Sequence, residues 1–233
     1  VLSIAGSDCS GGAGIQADIK TISALGGYAA SAITAVTVQN TVGVRAVHVV
    51  PAEIVCGQIE AVMEDLHPDA VKIGMVSEEE TVRAIADCLR KFRPEHVVYD
   101  PVMVSTSGRK LMNDAAIEII KKELFPLTTL LTPNLDEVEV LTGKKIVVLE
   151  DMQQVARELS AIYRTAVLIK GGHWPGDEMQ DILCADGNLF IYKEKKIVSK
   201  NLHGTGCTLS SSIATYLALG YTMNEAVGKA KNY

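Results

Sequence analysis

The chain has 233 residues, of which 48% are hydrophobic and 21% are charged, so it can bury a sizeable core and is not a disordered segment. The 22 basic and 28 acidic residues give a formal net charge of −6, which argues against a nucleic-acid backbone as the main partner. No apolar run approaches the about 18 residues of a membrane span, and no secretory leader is visible, so we expect no membrane association. The five scattered cysteines form no CxxC pair, which favours reduced thiols in a cytoplasmic protein.

Short β-branched runs alternate with helical periodicity along the first half of the chain. Strands are predicted at residues 1–5, 32–38, 70–73 and 96–99, with a glycine-rich turn at 6–14. Apolar residues three or four apart predict helices between these strands. They recur at Ile15, Ile19 and Ile22, then from Val55 to Leu66, and then from Val82 to Phe92.

The second half continues the same alternation. Strands are predicted at 129–131 and 166–169, and helices at 117–124, 152–162 and 209–217. Two strands between 181 and 198 flank Asp186-Gly187-Asn188, which is typical of a hairpin. Apolar strands separated by amphipathic helices indicate a mostly parallel sheet covered on both faces. No linker, charge block or repeat divides the sequence, so we expect one domain over residues 1–233.

The unusual residues cluster at the predicted carboxyl ends of the strands, where open parallel sheets bind their ligands. These segments are Gly6-Ser7-Asp8, Gly74-Met75, Asp100-Pro101, Pro133-Asn134 and Lys170-Gly171-Gly172. Together they predict an active-site crest along one edge of the sheet.

The strongest local signal is the segment HGTGCT at 203–208, which leads into an apolar helix. Glycines there let the backbone approach a ligand closely, and the free amides and dipole of a helix start favour an anion such as phosphate. The alternative is a tight turn with Thr205 or Thr208 as a helix cap. Cys207 would lie in the first turn, where a thiolate is favoured; the alternative is a small, inert buried side chain.

Two further segments leave alternatives open. The loop at 6–14 resembles a phosphate loop, but it lacks the order GxxxxGK[ST] and contains no GxGxxG, so a dinucleotide oxidoreductase is a weak alternative. Asp18, one turn into the following helix, is typical of a solvated helix charge. Glu137 suits magnesium-bound phosphate chemically, but Asn134 and Glu137 also fit a helix cap with a capping-box glutamate.

The ordered set of motifs resembles the hydroxymethylpyrimidine/phosphomethylpyrimidine kinases of thiamine biosynthesis, which belong to the ribokinase-like superfamily. The stretches that carry the resemblance extend over nearly the whole chain. They are AGSDCSGGAGIQADIKT at 5–21, ITAVTVQNT at 33–41, VKIGMV at 71–76, DPVM at 100–103, SG at 107–108, LTPNLDE at 131–137, KGGH at 170–173 and HGTGCTLSS at 203–211.

The resemblance implies an α/β fold: a ribokinase-like three-layer α/β/α sandwich with a mostly parallel central sheet and a small β-hairpin addition. It implies an ATP-dependent phosphotransferase that phosphorylates the hydroxymethyl group of a pyrimidine and then the resulting monophosphate. ATP and Mg²⁺ are the implied cofactors, with a monovalent cation as a further candidate, and a homodimer is implied by family analogy.

The resemblance also assigns roles to individual residues. Gln39 is similar to the glutamine that hydrogen-bonds the aminopyrimidine, a role that suits a carboxamide because it both donates and accepts. The remaining pyrimidine-pocket residues would be Ala13, Asp18, Val38, Met75 and Val102. The anion hole for the transferred phosphate would be formed by Gly204, Thr205, Gly206 and Cys207.

Cys207 is the candidate catalytic base, since sister ribokinases carry an aspartate at that position. We expect a lowered thiol pKa at the helix N-terminus to permit proton abstraction. Asn134, Glu137 and Lys170 resemble the residues that bind the nucleotide, and Asp100 with Glu137 those that hold Mg²⁺ through water.

The sequence departs from the family pattern in two places. Cys9 replaces a proline common in the first glycine loop (residues 6–14), which should loosen that turn. The family continues beyond the helix near Tyr233, so we expect the adenine pocket to be incomplete within this chain. Two alternative functions stay open: a pyridoxal or pyridoxine kinase of the same superfamily, and a non-catalytic pyrimidine-sensing domain.

Overall fold

A computed structural model describes residues 1–103, 112–172, 178–196 and 203–233. The strands of the described residues are β1 (Leu2–Asp8), β2 (Ala30–Asn40), β3 (Gly43–Val49), β4 (Ala70–Ile73), β5 (His96–Tyr99), β6 (Leu130–Leu131), β7 (Ala166–Ile169), β8 (Glu178–Ala185) and β9 (Asn188–Lys195). The helices are α1 (Gly14–Ala24), α2 (Ala52–Asp65), α3 (Glu79–Phe92), α4 (Asp114–Ile119), α5 (Leu135–Thr142), α6 (Leu149–Tyr163), α7 (Thr205–Ala218) and α8 (Met223–Lys231).

All of these strands belong to one sheet in the order β3-β2-β1-β4-β5-β6-β7-β8-β9. The six strands from β2 to β7 in that order are parallel, whereas β3 pairs antiparallel with β2 at one edge. At the other edge, β8 and β9 form an antiparallel hairpin against β7. The predicted mostly parallel sheet and its added hairpin are therefore confirmed.

Strands β4, β5, β6 and β7 send alternate side chains into two separate cores. In β5, Val97 and Tyr99 pack in one core and Val98 in the other, as the two-residue period of a strand requires. The first core also contains residues of α2 to α6, and the second contains residues of α1, α7 and α8. The fold is thus a three-layer α/β/α sandwich, as predicted.

The structure differs from the predicted elements in several places. β1 continues to Asp8, into the segment expected to be a turn, because Ser7 and Asp8 still pair with β2. β3 was missed, since Arg45 and Ala46 are both exposed and break the alternation that signals a half-buried strand. α4 continues through a π turn (Ile120–Leu124) and a 3₁₀ turn (Phe125–Leu127), where Pro126 cannot donate a helical hydrogen bond.

The parallel connections bring the carboxyl ends of β1, β2, β4, β5, β6 and β7 to one edge of the sheet. The residues expected to form the active-site crest lie at or just after the ends of β1, β4, β5, β6 and β7, and α7 begins beside them. Within the described residues, no helix is both long enough and apolar enough to span a membrane.

Candidate active site

The start of α7 is held against the first glycine loop by direct backbone contact. Gly204 has φ +83° and caps the helix, and the amide of Thr208 donates to its carbonyl over 2.9 Å. A Cβ on Gly204 would lie 1.8 Å from the carbonyl oxygen of Gly12, so no other residue fits. The helix cap is therefore Gly204 and neither of the two threonines considered from sequence. In the first turn of α7, the amides of Gly206 and Cys207 have no acceptor one turn earlier in the helix, which favours an anion there.

Asp100 and Lys170 form an ion pair directly in front of this helix start. Lys170 Nζ donates to Asp100 Oδ1 over 2.6 Å, and Thr132 Oγ1 donates to the same oxygen over 3.0 Å. A Cβ on Gly206 would lie 3.2 Å from Asp100 Oδ2 and 3.4 Å from Lys170 Nζ. Burial alone would lower the pKa of Lys170, but Asp100 and Glu137 outweigh it and raise the pKa. The ammonium charge is thus held next to the candidate phosphate site.

Asn134 and Glu137 form a reciprocal capping box at the start of α5. The amide of Glu137 donates to Asn134 Oδ1 over 2.9 Å, and the amide of Asn134 donates to Glu137 Oε2 over 2.8 Å. Glu137 is buried; burial is the main cause that raises its pKa to about 7, with Asp100 adding to it and Lys170 opposing it. The capping interpretation is confirmed. The nucleotide role of both residues stays a prediction.

Cys207 lies in the first turn of α7, but its electrostatics differ from the expectation. Burial raises the pKa of the thiol, the carboxylates of Asp18 and Asp100 raise it further, and Lys72 only partly opposes them. The expectation of a lowered pKa was wrong because desolvation and the nearby carboxylates outweigh Lys72 and the hydrogen bond from the Gly14 amide. At neutral pH the side chain is a thiol.

Asp18 is fully buried beneath the start of α7, not solvated. Lys72 Nζ lies 2.9 Å from both carboxylate oxygens, and the hydroxyls of Ser3 and Ser211 each donate to Asp18 over 2.5 Å. The structure thus gives this carboxylate a structural ion pair that joins β1, α1, β4 and α7. Lys72 was not predicted as a site residue, although it is a charged residue within the apolar segment AVKI.

Backbone amides of the first glycine loop donate hydrogen bonds to the carboxylate of Asp8, which lies at the start of the same loop. Asp8 accepts hydrogen bonds from the amides of Ser10 (2.9 Å), Gly12 (3.2 Å) and Ala13 (2.9 Å). Burial would raise the pKa of Asp8, but hydrogen bonds from His203, Ser10 and Ala13 lower it overall. Because these amides already donate to Asp8, they are not available to a phosphate as the amides of a P-loop are. The loop instead positions other residues.

Gln39 reaches the same place from the end of β2. The pairing of β2 with β3 shifts register between Val38 and Gln39, and such bulges re-aim side chains. The Gln39 carboxamide lies 3.3 Å from His203 Nε2, which in turn lies 2.8 Å from Asp8 Oδ2. His203 was within the quoted motif, but its contacts with two distant segments could not be read from the sequence.

The remaining candidates Val38, Met75 and Val102 lie near the carboxyl ends of β2, β4 and β5, respectively. The Cε atom of Met75 lies 2.8 Å from where a Cβ on Gly6 would stand. Val38 is 54% exposed, and the amide of Val102 donates to the carbonyl of Asp100 over 2.8 Å. The expected SG pair (Ser107, Gly108) and His173 lie outside the described residues. Among the described residues, no three His, Cys, Asp or Glu side chains come together to hold a metal ion.

The family model described as phosphomethylpyrimidine kinase matches residues 8–233. A hydroxymethylpyrimidine/phosphomethylpyrimidine kinase of Rhizobium meliloti (strain 1021) is 53% identical over all of this chain and 87% of its own length. Phosphomethylpyrimidine kinase of Clostridium difficile 630 has 48% identity and a TM-score of 0.89, covering all of this chain and 96% of its own. Bacillus subtilis pyridoxal kinase, solved as an ADP complex, has 31% identity and a TM-score of 0.91 over all of this chain and 88% of its own. The chain therefore belongs to the phosphomethylpyrimidine kinase family.

Proposed function

We propose that the protein transfers the γ-phosphoryl group of ATP to 4-amino-5-hydroxymethyl-2-methylpyrimidine, and then to its monophosphate, in thiamine biosynthesis. One observation carries the proposal: the glycine-capped start of α7 faces the Asp100–Lys170 ion pair, with Cys207 in the same turn. Phosphoryl transfer depends mainly on positioning and on neutralising charge, and this arrangement supplies both.

Each part of this arrangement has a defined task in the transfer. The backbone amides at 204–207 bind the phosphate in transit, and Lys170 neutralises its charge. The thiolate form of Cys207 accepts the proton of the hydroxymethyl group. Since its thiol pKa is raised, we assign it a smaller share of the rate than the charge-stabilising groups.

The proposed magnesium site consists of Asp100 and Glu137. Asp100 Oδ1 is already occupied by Lys170 and Thr132, and Glu137 Oε2 accepts from the amide of Asn134. This set of donors suits Mg²⁺ held through water and phosphate oxygens, not an all-protein cage. Bound Mg²⁺ would neutralise the phosphate charge that develops during transfer. A monovalent cation stays a further candidate cofactor.

The proposed pyrimidine pocket lies across from the anion site. Gln39 provides a donor and an acceptor for the aminopyrimidine edge, while Ala13, Val38, Met75 and Val102 provide small or apolar walls. Asp18 contributes from below through its ion pair with Lys72, since its oxygens are buried.

The experiment is a substrate screen with magnesium and ATP. We expect ATP consumption to depend on the hydroxymethylpyrimidine, and ³¹P NMR to show the monophosphate followed by the diphosphate. Pyridoxal and pyridoxine serve as parallel substrates. Turnover of pyridoxal without pyrimidine turnover would contradict the proposal and favour the vitamin B6 alternative. Pyrimidine binding with no stimulated ATP consumption would favour the sensing domain.

Pyridoxal kinase is retained as a second candidate because a pyridoxal kinase shares the fold at 31% identity. Both substrates are flat heteroaromatic rings with a hydroxymethyl group, so the anion site by itself does not distinguish them. The higher identity with pyrimidine kinases supports the first candidate. A diphosphate product is the result that separates the two, because pyridoxal is phosphorylated once.

We also propose a cytoplasmic homodimer. All five cysteines are free thiols, as expected in a reducing compartment. β3 is an edge strand, and the adjoining ribbon exposes Val36, Val38 and Val42, an apolar edge that proteins usually cover. Light scattering should give twice the chain mass, and Val42→Lys should lower that mass. A monomeric wild-type protein at micromolar concentration would contradict the dimer.

A further inference from the structure

The carboxamide of Gln39 lies between two side chains that restrict which way it points. Gln39 Nε2 is placed 3.3 Å from His203 Nε2, and Gln39 Oε1 is placed 3.0 Å from Thr37 Oγ1. The two ends of a carboxamide have nearly the same shape, so the protons of its neighbours determine which end is the oxygen. Those protons can be counted here.

The Thr37 hydroxyl has one proton and lies within hydrogen-bond distance of two groups, the Ser7 carbonyl and the Gln39 carboxamide. Its Oγ1 lies 2.9 Å from the backbone carbonyl of Ser7, and a carbonyl only accepts. If Thr37 donates to Ser7, its oxygen is left to accept from Gln39. In that case the carboxamide end that faces Thr37 is the nitrogen, since an oxygen there would set two acceptors 3.0 Å apart.

His203 leads to the same result from the other side. Its Nε2 lies 2.8 Å from Asp8 Oδ2. The hydrogen bonds that Asp8 receives lower its pKa, so it is a carboxylate and only accepts. Nε2 of His203 must then carry a proton, both in the neutral Nε2–H form and in the imidazolium. The carboxamide end that faces His203 is the oxygen, because a second donor there would be repelled.

We infer that Thr37 and His203 are positioning residues that hold the Gln39 carboxamide with its oxygen toward His203 and its nitrogen toward Thr37. Ser7 and Asp8 fix the two protons on which this orientation depends. The network thereby connects β1, β2 and the start of α7. Turned this way, Gln39 donates to Thr37, and its oxygen lies 3.3 Å from the protonated Nε2 of His203, whose proton Asp8 accepts at 2.8 Å. At least one oxygen lone pair and one N–H of Gln39 are left for a ligand.

The consequence for the substrate rests on the proposed function. A ring with an amino group next to a ring nitrogen presents one donor and one acceptor side by side, which matches the two free groups of Gln39. A pyridine ring without that amino group matches only one of them. A carboxamide with a fixed orientation therefore selects aminopyrimidines, whereas a freely turning one would present the wrong end part of the time.

The first experiment measures the proton on His203 directly in the substrate-free protein. Long-range ¹H–¹⁵N NMR distinguishes a protonated from an unprotonated Nε2, and the His203→Gln variant assigns the signal. We expect a protonated Nε2. A proton found only on Nδ1 would overturn the inference. This measurement does not depend on turnover, so it stands even if the proposed function fails.

The second experiment tests Thr37 with a matched pair of variants. Thr37→Val removes the hydroxyl with little change in shape, whereas Thr37→Ser keeps it. Loss of one net hydrogen bond corresponds to about a tenfold change in affinity. We expect Thr37→Val to raise the KM for the aminopyrimidine about tenfold, with the KM for ATP unchanged, and Thr37→Ser to restore most of the affinity.

The outcomes of this pair separate positioning from packing. An unchanged pyrimidine KM in a folded Thr37→Val variant would overturn the inference, and so would equal losses in the Val and Ser variants. Thermal unfolding establishes that each variant is folded. If Thr37→Val fails to fold, Thr37→Ser and the NMR measurement on the wild-type protein still decide the question.

Discussion

Cys207 combines a position that suits catalysis with a protonation state that does not. It lies in the first turn of α7, at the candidate phosphate site, yet burial and neighbouring carboxylates raise the pKa of its thiol. A base with a raised pKa is mostly protonated at neutral pH and becomes available as the pH rises. Its contribution should therefore depend strongly on pH, whereas that of the backbone amides should not.

The first prediction concerns Cys207→Ala. We expect kcat to fall about 100-fold with little change in ATP affinity, because the proposed role of the thiol is at the hydroxymethyl group and not at the adenosine. The wild-type kcat should rise with pH in the alkaline range, and the variant should lose that rise. Kinetics from neutral to alkaline pH, with ATP binding by calorimetry, provide the measurement. Unchanged turnover would remove the thiol from the mechanism.

Gly204 is required for two separable reasons, its left-handed backbone and its contact with Gly12. Gly220 has nearly the same φ, +86° against +83°, but a Cβ there would meet nothing within 4 Å. Gly220→Ala is thus a matched control for backbone strain alone, which costs about 1 kcal/mol.

We predict that Gly204→Ala lowers kcat/KM for ATP by more than about 100-fold, since the clash separates the start of α7 from the glycine loop. Gly220→Ala should lose only about 1 kcal/mol of stability and keep its turnover. Steady-state kinetics and urea unfolding measure both quantities. Similar kinetic losses in the two variants would show that strain, not the close approach, is responsible.

Glu137 gives a prediction about pH and stability. Its pKa is raised from 4.5 to about 7 in the folded protein, so between these values the folded state holds a proton that the unfolded state releases. Stability from this group is therefore full below pH 4.5 and decreases as the pH rises to about 7. Over that window the decrease amounts to about 3 kcal/mol.

Glu137→Gln should not show this decrease, because the amide is neutral throughout and its oxygen still accepts from the amide of Asn134. Compared with the wild type, the variant should gain up to about 3 kcal/mol as the pH rises through the window. Urea unfolding at a series of pH values, without nucleotide or magnesium, measures the difference. Stability curves that run parallel would contradict the raised pKa.

At the scale of the elements, the buried Asp18–Lys72 pair joins α1 and β4, and Ser211 adds α7. Both charged side chains are fully buried, so each depends on the other for compensation. Removing one partner of such a pair typically costs about 3–5 kcal/mol, because the other charge is left unpaired in the interior.

We predict that Lys72→Met loses about 3–5 kcal/mol of unfolding free energy. Adding Asp18→Asn to that variant should recover part of the loss, since it removes the uncompensated carboxylate. Urea denaturation followed by circular dichroism measures both variants. A loss below about 1 kcal/mol for Lys72→Met would show that water can solvate Asp18 in place of Lys72, and that the ion pair does not stabilise the contact between α1 and β4.

At the scale of the whole molecule, the two cores share strands β4, β5, β6 and β7. A strand such as β5 places Val97 and Val98 in different cores, so neither core can open without disrupting the other. We predict one cooperative unfolding transition, as expected for a single domain. Far-ultraviolet and near-ultraviolet circular dichroism should give coincident urea curves, and two separate transitions would contradict the single domain.

The sequence predicts regular elements well where one physical preference dominates. The bounds of β4, β5 and β7 agree with the predicted 70–73, 96–99 and 166–169, because short apolar runs between helices have no competing use. β3 was missed because an edge strand exposes both faces in part and loses its alternation. The capping box at α5 was visible because Asn134 and Glu137 are three residues apart on one helix start.

The sequence by itself determined the layered α/β fold, the edge of the sheet that carries the chemistry, and the motifs that indicate a kinase. These depend on periodicity and on local order along the chain. Only the tertiary structure decided the state of each side chain: the buried partner of Asp18, the raised pKa of Cys207, and the contact of His203 with Asp8 and Gln39. Those properties depend on residues that are distant in sequence, as His203 is from Asp8, and on how little water remains between them. Burial and long-range pairing are set by packing, which no local pattern records.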